Sequence, residues 1–92
     1  MKDKFITIGI SSRVPIEYQI LIWRLYDSMP TPKDYLQVLN LYPKAESQII
    51  HHYAEQPKYE QTLVLLTDSP ITEKIYVIDD GEHITMLLAN EY

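Results

Sequence analysis

The stretch that decides the fold is IYVIDDGEHITMLLANEY, residues 75–92, in which three acids and a histidine stand between two apolar runs and a fourth acid follows the second. Asp80-Gly81 is the dipeptide that a two-residue type I′ hairpin turn prefers, because both central residues need positive φ. That turn would set Ile78 against His83, Val77 against Ile84, Tyr76 against Thr85 and Ile75 against Met86. Side chains alternate along a strand, so Ile75, Val77, Ile84, Met86 and Leu88 share one apolar face. Tyr76, Ile78, His83, Thr85 and Leu87 share the other, which is half polar. The pattern predicts a terminal hairpin packed on the core by its first face.

The same pairing weighs against a site among the acids. A calcium loop with Gly81 at its sixth position would need oxygen ligands where Tyr76, Ile78 and Leu87 stand. Asp79 and His83 point to opposite faces of the hairpin and do not share a zinc. Acids beside a glycine are turn formers in their own right. His51 and His52 are adjacent and so diverge in either a strand or a helix, and no H-E-x-x-H spacing is present. Ser11, Ser12 and Arg13 could greet a phosphate at a helix start, but with only Gly9 nearby the better reading is a helix opened by a capping serine. No cofactor or metal is expected, and no catalytic residue is assigned.

Working outward, KFITIGISSR at residues 4–13 alternates β-branched and aromatic positions and predicts a buried strand. A change of period then predicts a helix from about Pro15 to Met29. Tyr18, Ile22, Leu25 and Met29 form its apolar side, opposite Glu17, Arg24 and Ser28. Ile16, Ile20 and Trp23 widen the apolar arc along a flank that also holds Asp27. YLQVLNLY at residues 35–42 alternates, with Leu36, Val38, Asn40 and Tyr42 on one side. ESQIIHHYAEQP at residues 46–57 fits a strand or a helix, and its span between two prolines favours a hairpin partner of the preceding run. YEQTLVLLT at residues 59–67 reads as a further strand. The expected architecture is α+β, a single helix packed on a mainly antiparallel sheet of about five or six strands, ending in the C-terminal β-hairpin.

Length and composition set the outer limits. With 92 residues, 46 % hydrophobic and 23 % charged, one domain spanning residues 1–92 is expected. No cysteine is present, which removes thiol chemistry and disulfide staples. No secretory pattern opens the chain and its apolar runs are short, so a cytoplasmic location and no membrane contact are expected. The net charge of −5 is uneven: residues 1–33 sum to +2 and residues 34–92 to −7. An acidic remainder repels a phosphate backbone, which makes direct nucleic-acid binding disfavoured. Eight tyrosines interleaved with acids fit a protein-binding face, and Trp23 belongs to a residue type enriched in binding hot spots.

Four stretches together, SSRVPIEYQILIWRLYD, DYLQVLNL, IIHHYAEQPKYE and above all KIYVIDDGEHITMLLANEY, resemble a domain-of-unknown-function family, number nine-sixty, of small proteins from Gram-positive bacteria and their phages. The resemblance covers nearly the whole chain, and this sequence carries Ser12-Arg13-Val14 where the family has a Ser/Thr-Arg-Gly character. It implies a bacterial or phage protein and assigns no catalytic residue. The leading expectation is a non-enzymatic protein that binds a protein partner, with Trp23, Tyr76, His83, Thr85, Glu91 and Tyr92 as its candidate interaction surface. Three alternatives stand beside it. They are a phage or mobile-element inhibitor that mimics nucleic acid with its acids, a nucleic-acid-associated regulator using Lys2, Lys4, Arg13 and Arg24, and, last, a metal-dependent enzyme.

Overall fold

The computed structural model describes residues 2–92. In chain order the elements are β1 (Asp3–Ile6), α1 (Ile8–Arg13), α2 (Ile16–Asp27), β2 (Leu36–Lys44), β3 (Ser47–Glu55), β4 (Lys58–Leu66), β5 (Glu73–Asp79), β6 (His83–Leu88) and a closing 3-10 turn, Ala89–Glu91. The six strands form one mixed sheet in the order β1-β6-β5-β2-β3-β4. Every neighbouring pair is antiparallel except β1 with β6. The expected α+β class and strand number hold, and the 46–67 segment folds as the two strands β3 and β4, not as helix.

Three expectations need correction. The apolar run at residues 4–13 is not one buried strand, because Thr7 breaks it. Its hydroxyl accepts the Ile10 N–H and caps α1, a short second helix beside the single one expected. What is left, β1, is a four-residue edge strand with every residue exposed. Ser11 and Ser12 therefore lie inside α1 and cap nothing, and α2 starts from Pro15 with no side-chain cap.

The third correction is the register of the hairpin. Val77 pairs with Met86, Ile78 with Thr85 and Asp79 with Ile84, two residues along from the expected type I′ pairing. The turn is centred on Gly81-Glu82 because the Asp80 carboxylate accepts the N–H groups of Glu82 and His83, at 2.9 and 2.8 Å, and Gly81 takes up φ +98° as the first central residue. A shift of two keeps every side chain on its face. Ile75, Val77, Ile84, Met86 and Leu88 are all buried, as the alternation predicted.

Those five join Leu39 and Leu41 of β2, Ile50 of β3, and Ile10, Val14, Ile22, Tyr26 and Met29 from the helical segment in one core cluster. Every sheet residue in that cluster belongs to the same face, so both helices cover one side of the sheet. The helix flank is only partly used: Trp23 is half-buried, whereas Ile16 and Ile20 stay exposed. Gln19 turns inward instead and donates to the Val14 carbonyl at 2.9 Å, which satisfies a backbone group at the α1–α2 junction. No helix among the described residues is long and apolar enough to cross a membrane.

Candidate functional site

The face of the sheet opposite the helices is uncovered, and it carries apolar and aromatic residues among its polar ones. Strand register places Phe5 of β1, Thr85 and Leu87 of β6, Tyr76 and Ile78 of β5, Leu36, Val38 and Tyr42 of β2, Ile49 and Tyr53 of β3, and Val64 and Leu66 of β4 on it. β-branched and aromatic residues suit a pleated strand on either face, but on an open face they leave apolar area in contact with water. Val38, Ile49 and Leu87 are buried there without belonging to the core cluster under the helices. Their taller neighbours shield them.

One row across this face is built as a cleft. Val38 lies directly between Tyr53 on β3 and Tyr76 on β5. Their backbones are two strand spacings apart, about 9.6 Å, and a flat group stacked on both sides needs about 7 Å, twice the carbon contact distance. The resulting cleft has a volume of about 370 Å³ and is bounded by Leu36, Val38, Tyr53, Tyr76, Lys74 and Glu55, among others. That volume lies at the lower end of the range for small-ligand or side-chain pockets.

Each tyrosine wall has an aromatic neighbour. The Tyr92 ring meets Tyr76 edge to face at 5.7 Å. The His51 ring lies 5.1 Å from Tyr53, and its Nε2 is 2.7 Å from the Glu60 carboxylate. Such contacts restrict the tyrosine rotamers before anything binds. Lys74 Nζ stands 5.8 Å from the Tyr76 ring and supplies a cation at the rim.

The end of the cleft is fixed by Asp34. Its carboxylate accepts the N–H groups of Leu36 at 3.2 Å, Glu55 at 3.2 Å and Gln56 at 2.8 Å, tying the loop before β2 to the β3–β4 turn. Burial pushes this carboxyl up, but the N–H donors of Gln56, Leu36 and Glu55 outweigh it and hold the group below its ordinary value.

The residues named from sequence fall in three places. Tyr76 forms one wall of the cleft, and Tyr92 packs against it. His83 and Thr85 occupy the same face nearer β1, where the His83 ring packs edge-on against Phe5 at 5.3 Å and its Nδ1 lies 3.2 Å from Asp80. Trp23 lies on the helix side of the sheet, 5.6 Å from Lys4 Nζ, and cannot share a contact with them. Glu91 is a strut: it accepts the Thr7 hydroxyl at 2.6 Å, Leu88 N–H at 2.8 Å and Gly9 N–H at 3.1 Å, joining the C-terminus to the start of α1. A Cβ on Gly9 would come within 2.5 Å of the Glu91 carboxyl carbon, so this approach requires glycine.

Tyr53, Val38 and Asp34 were not singled out from the sequence. The alternation of residues 35–42 places Val38 on this side, but only the pairing of β3 and β5 with β2 brings the two tyrosines to it.

Charge on the open face is balanced. By register it carries Asp3, Glu55 and Glu60 with Lys44, Lys58 and Lys74. The basic surplus of residues 1–33 is paired internally, while most of the acidic surplus of residues 34–92 is not. Lys2 bonds Asp79 at 2.7 Å, Lys4 bonds Asp27 at 2.7 Å, and Arg13 lies 3.3 Å from Glu73. No group of three or more metal-ligating side chains is found among the described residues.

A family model described as "Staphylococcal protein of unknown function (DUF960)" matches residues 3–91. A solved structure described as the crystal structure of the protein of unknown function from Enterococcus faecalis is similar at a TM-score of 0.81 and 22 % identity, over 99 % of this chain and 91 % of that one. That likeness is one of fold. No curated protein matches the sequence.

Proposed function

The chain belongs to the staphylococcal DUF960 family, and from that premise we propose that it is a non-enzymatic, protein-binding module whose docking surface is the open face of its sheet. The partner inserts an aromatic side chain between Tyr53 and Tyr76, over Val38. The observation that carries this reading is the cleft of about 370 Å³ between Tyr53 and Tyr76, each with an aromatic neighbour, on a face that no helix covers. A flat apolar group gains stacking on both sides and displaces water from Val38, while Lys74 and Glu55 at the rim offer one charge of each sign to the flanking peptide.

Charge placement favours this over the nucleic-acid readings. Three of the five cations in residues 1–33 are engaged with acids, so a phosphate backbone would have to compete for them. Mimicry of nucleic acid needs free acids in a row, and Asp27, Asp34, Glu60, Glu73, Asp79, Asp80 and Glu91 are each occupied by internal partners.

The test is selection of a random peptide library on immobilised protein. Enriched peptides should share an aromatic residue, and their binding should be lost in Tyr76→Ala and Tyr53→Ala but kept in Trp23→Ala. Peptides without an aromatic residue, or binding indifferent to both tyrosines, would overturn the reading.

A further inference from the structure

We infer that the free edge of the sheet, β4, pairs antiparallel with β4 of a second copy, making a two-fold dimer with one continuous sheet. β4 is the last strand of the order and runs for nine residues, Lys58–Leu66. A strand in that place presents a row of unpaired N–H and C=O groups, and proteins that remain monomeric blunt such edges with prolines, bulges or charges pointing across them. β4 has none of these in its second half. It pairs with β3 without interruption from Lys58 to Leu66, and residues 61–66, QTLVLL, contain no charge and no proline.

The apolar side chains at this edge occur on both faces. Leu63 and Leu65 pack half-buried against the core cluster on the helix side. On the open side Val64 is 59 % and Leu66 is 89 % exposed. The chain after β4 returns across the helix side, where Ile71 is bonded to Gln48, and the open side of this margin is left uncovered.

The segment complements itself. An antiparallel pairing centred on Val64 sets Val64 against Val64 of the second copy, Leu63 against its Leu65, and Thr62 against its Leu66, with matching faces on both sides of the new ladder. The Val64–Val64 and Leu63–Leu65 pairs are apolar cross-strand pairs of the kind that stabilises sheets, and Thr62 against Leu66 adds no charge. Lys58 and Glu60 fall outside the paired segment. Centring on Thr62 instead would set Glu60 against Val64 and Lys58 against Leu66, covering charge with apolar side chains. A second copy therefore offers the neutral strand that this edge matches, and two-fold closure uses up both edges and stops growth.

This surface is separate from the Tyr53–Tyr76 cleft, and the two fail independently. Sedimentation velocity and light scattering on the whole chain give its mass across a dilution series. The expected result is a particle of twice 10.8 kDa that dissociates on dilution. Val64→Lys and Leu66→Lys, both at exposed positions, should give folded monomers, with unchanged circular dichroism and peptide binding at the cleft retained. Hydrogen exchange should show the β4 amides that point away from β3 protected in concentrated wild-type protein and unprotected in the lysine variants. A wild-type chain that stays monomeric at about 1 mM, where even a weak pairing would register, overturns the inference. So does a dimer that survives both lysine substitutions.

Discussion

Acid should destabilise this protein through one buried ring, that of His52. The side chain lies on the helix face of β3 and is 1 % exposed. Its Nε2 is 2.8 Å from Gln37 Oε1, and the Gln37 amide nitrogen donates to the Asp34 carbonyl at 3.0 Å. That second bond fixes the Gln37 oxygen as the acceptor, so Nε2 carries the proton and Nδ1 is a bare lone pair. Nδ1 has no partner, and the Tyr59 ring centroid stands 5.0 Å from that of His52. Adding a proton would bury a charge with one of its two N–H groups unmet. Burial, helped by the neighbouring His51, pulls the ring down from 6.5 to about 4.

The sign of the linkage follows. Between the folded and unfolded values the unfolded chain binds the extra proton and the folded chain refuses it, so stability rises with pH through that window and is flat from this source above it. A gap of that size at about 1.36 kcal/mol per pH unit gives roughly 3 kcal/mol in full, of which about 2.5 kcal/mol is lost between pH 7.5 and pH 4.5. Against a total of about 5–15 kcal/mol for a small domain this is a large share. The assay is urea unfolding followed by Trp23 fluorescence at the two pH values and constant ionic strength, for the wild type and for His52→Gln. Carboxylates titrate alike in both, so the difference between the two pH dependences isolates His52. Equal pH dependence in the two proteins, or an NMR titration of His52 with a midpoint near that of a free histidine, would refute the reasoning.

Two further outcomes concern the turns. Ala45 sits at φ +54° between Lys44 and Ser47, which pair across β2 and β3. Replacing it with glycine removes a left-handed strain and adds unfolded-state entropy, for a net gain of about 0.5–1 kcal/mol, read as a higher midpoint in thermal melts. Asp34→Ala leaves the Leu36, Glu55 and Gln56 N–H groups without their acceptor and should cost about 2 kcal/mol. Hydrogen exchange should then rise first at the β3–β4 turn, and peptide binding at the cleft should weaken along with it because Tyr53 loses its anchored neighbour.

The local elements were legible in the residues themselves. Alternation in 35–42 and 75–88 gave strands and their faces, because a period of two is a property of the backbone and needs no neighbour. The helix through Ile16–Asp27 announced itself by its change of period and by Pro15 before it. The family resemblance was legible for the same reason, since it is carried by contiguous segments. What failed locally did so where one side chain outweighs a pattern. Thr7 turns an apolar run into a helix by capping it, and the Asp80 carboxylate moves the hairpin turn by one residue and its register by two.

Tertiary structure alone decided the rest. Val38, Tyr53 and Tyr76 lie 15 and 23 residues apart in sequence and meet only because β2 runs between β3 and β5, an order that depends on how separate hairpins join. The basic surplus of the first third is offset in the same way, since Lys2 and Arg13 find acids on β5, while most of the acidic surplus of residues 34–92 remains. A sequence reports which side chains will alternate, cap or turn, because those outcomes depend on near neighbours. Which face remains uncovered, and which edge remains free, depends on where the helices come to rest.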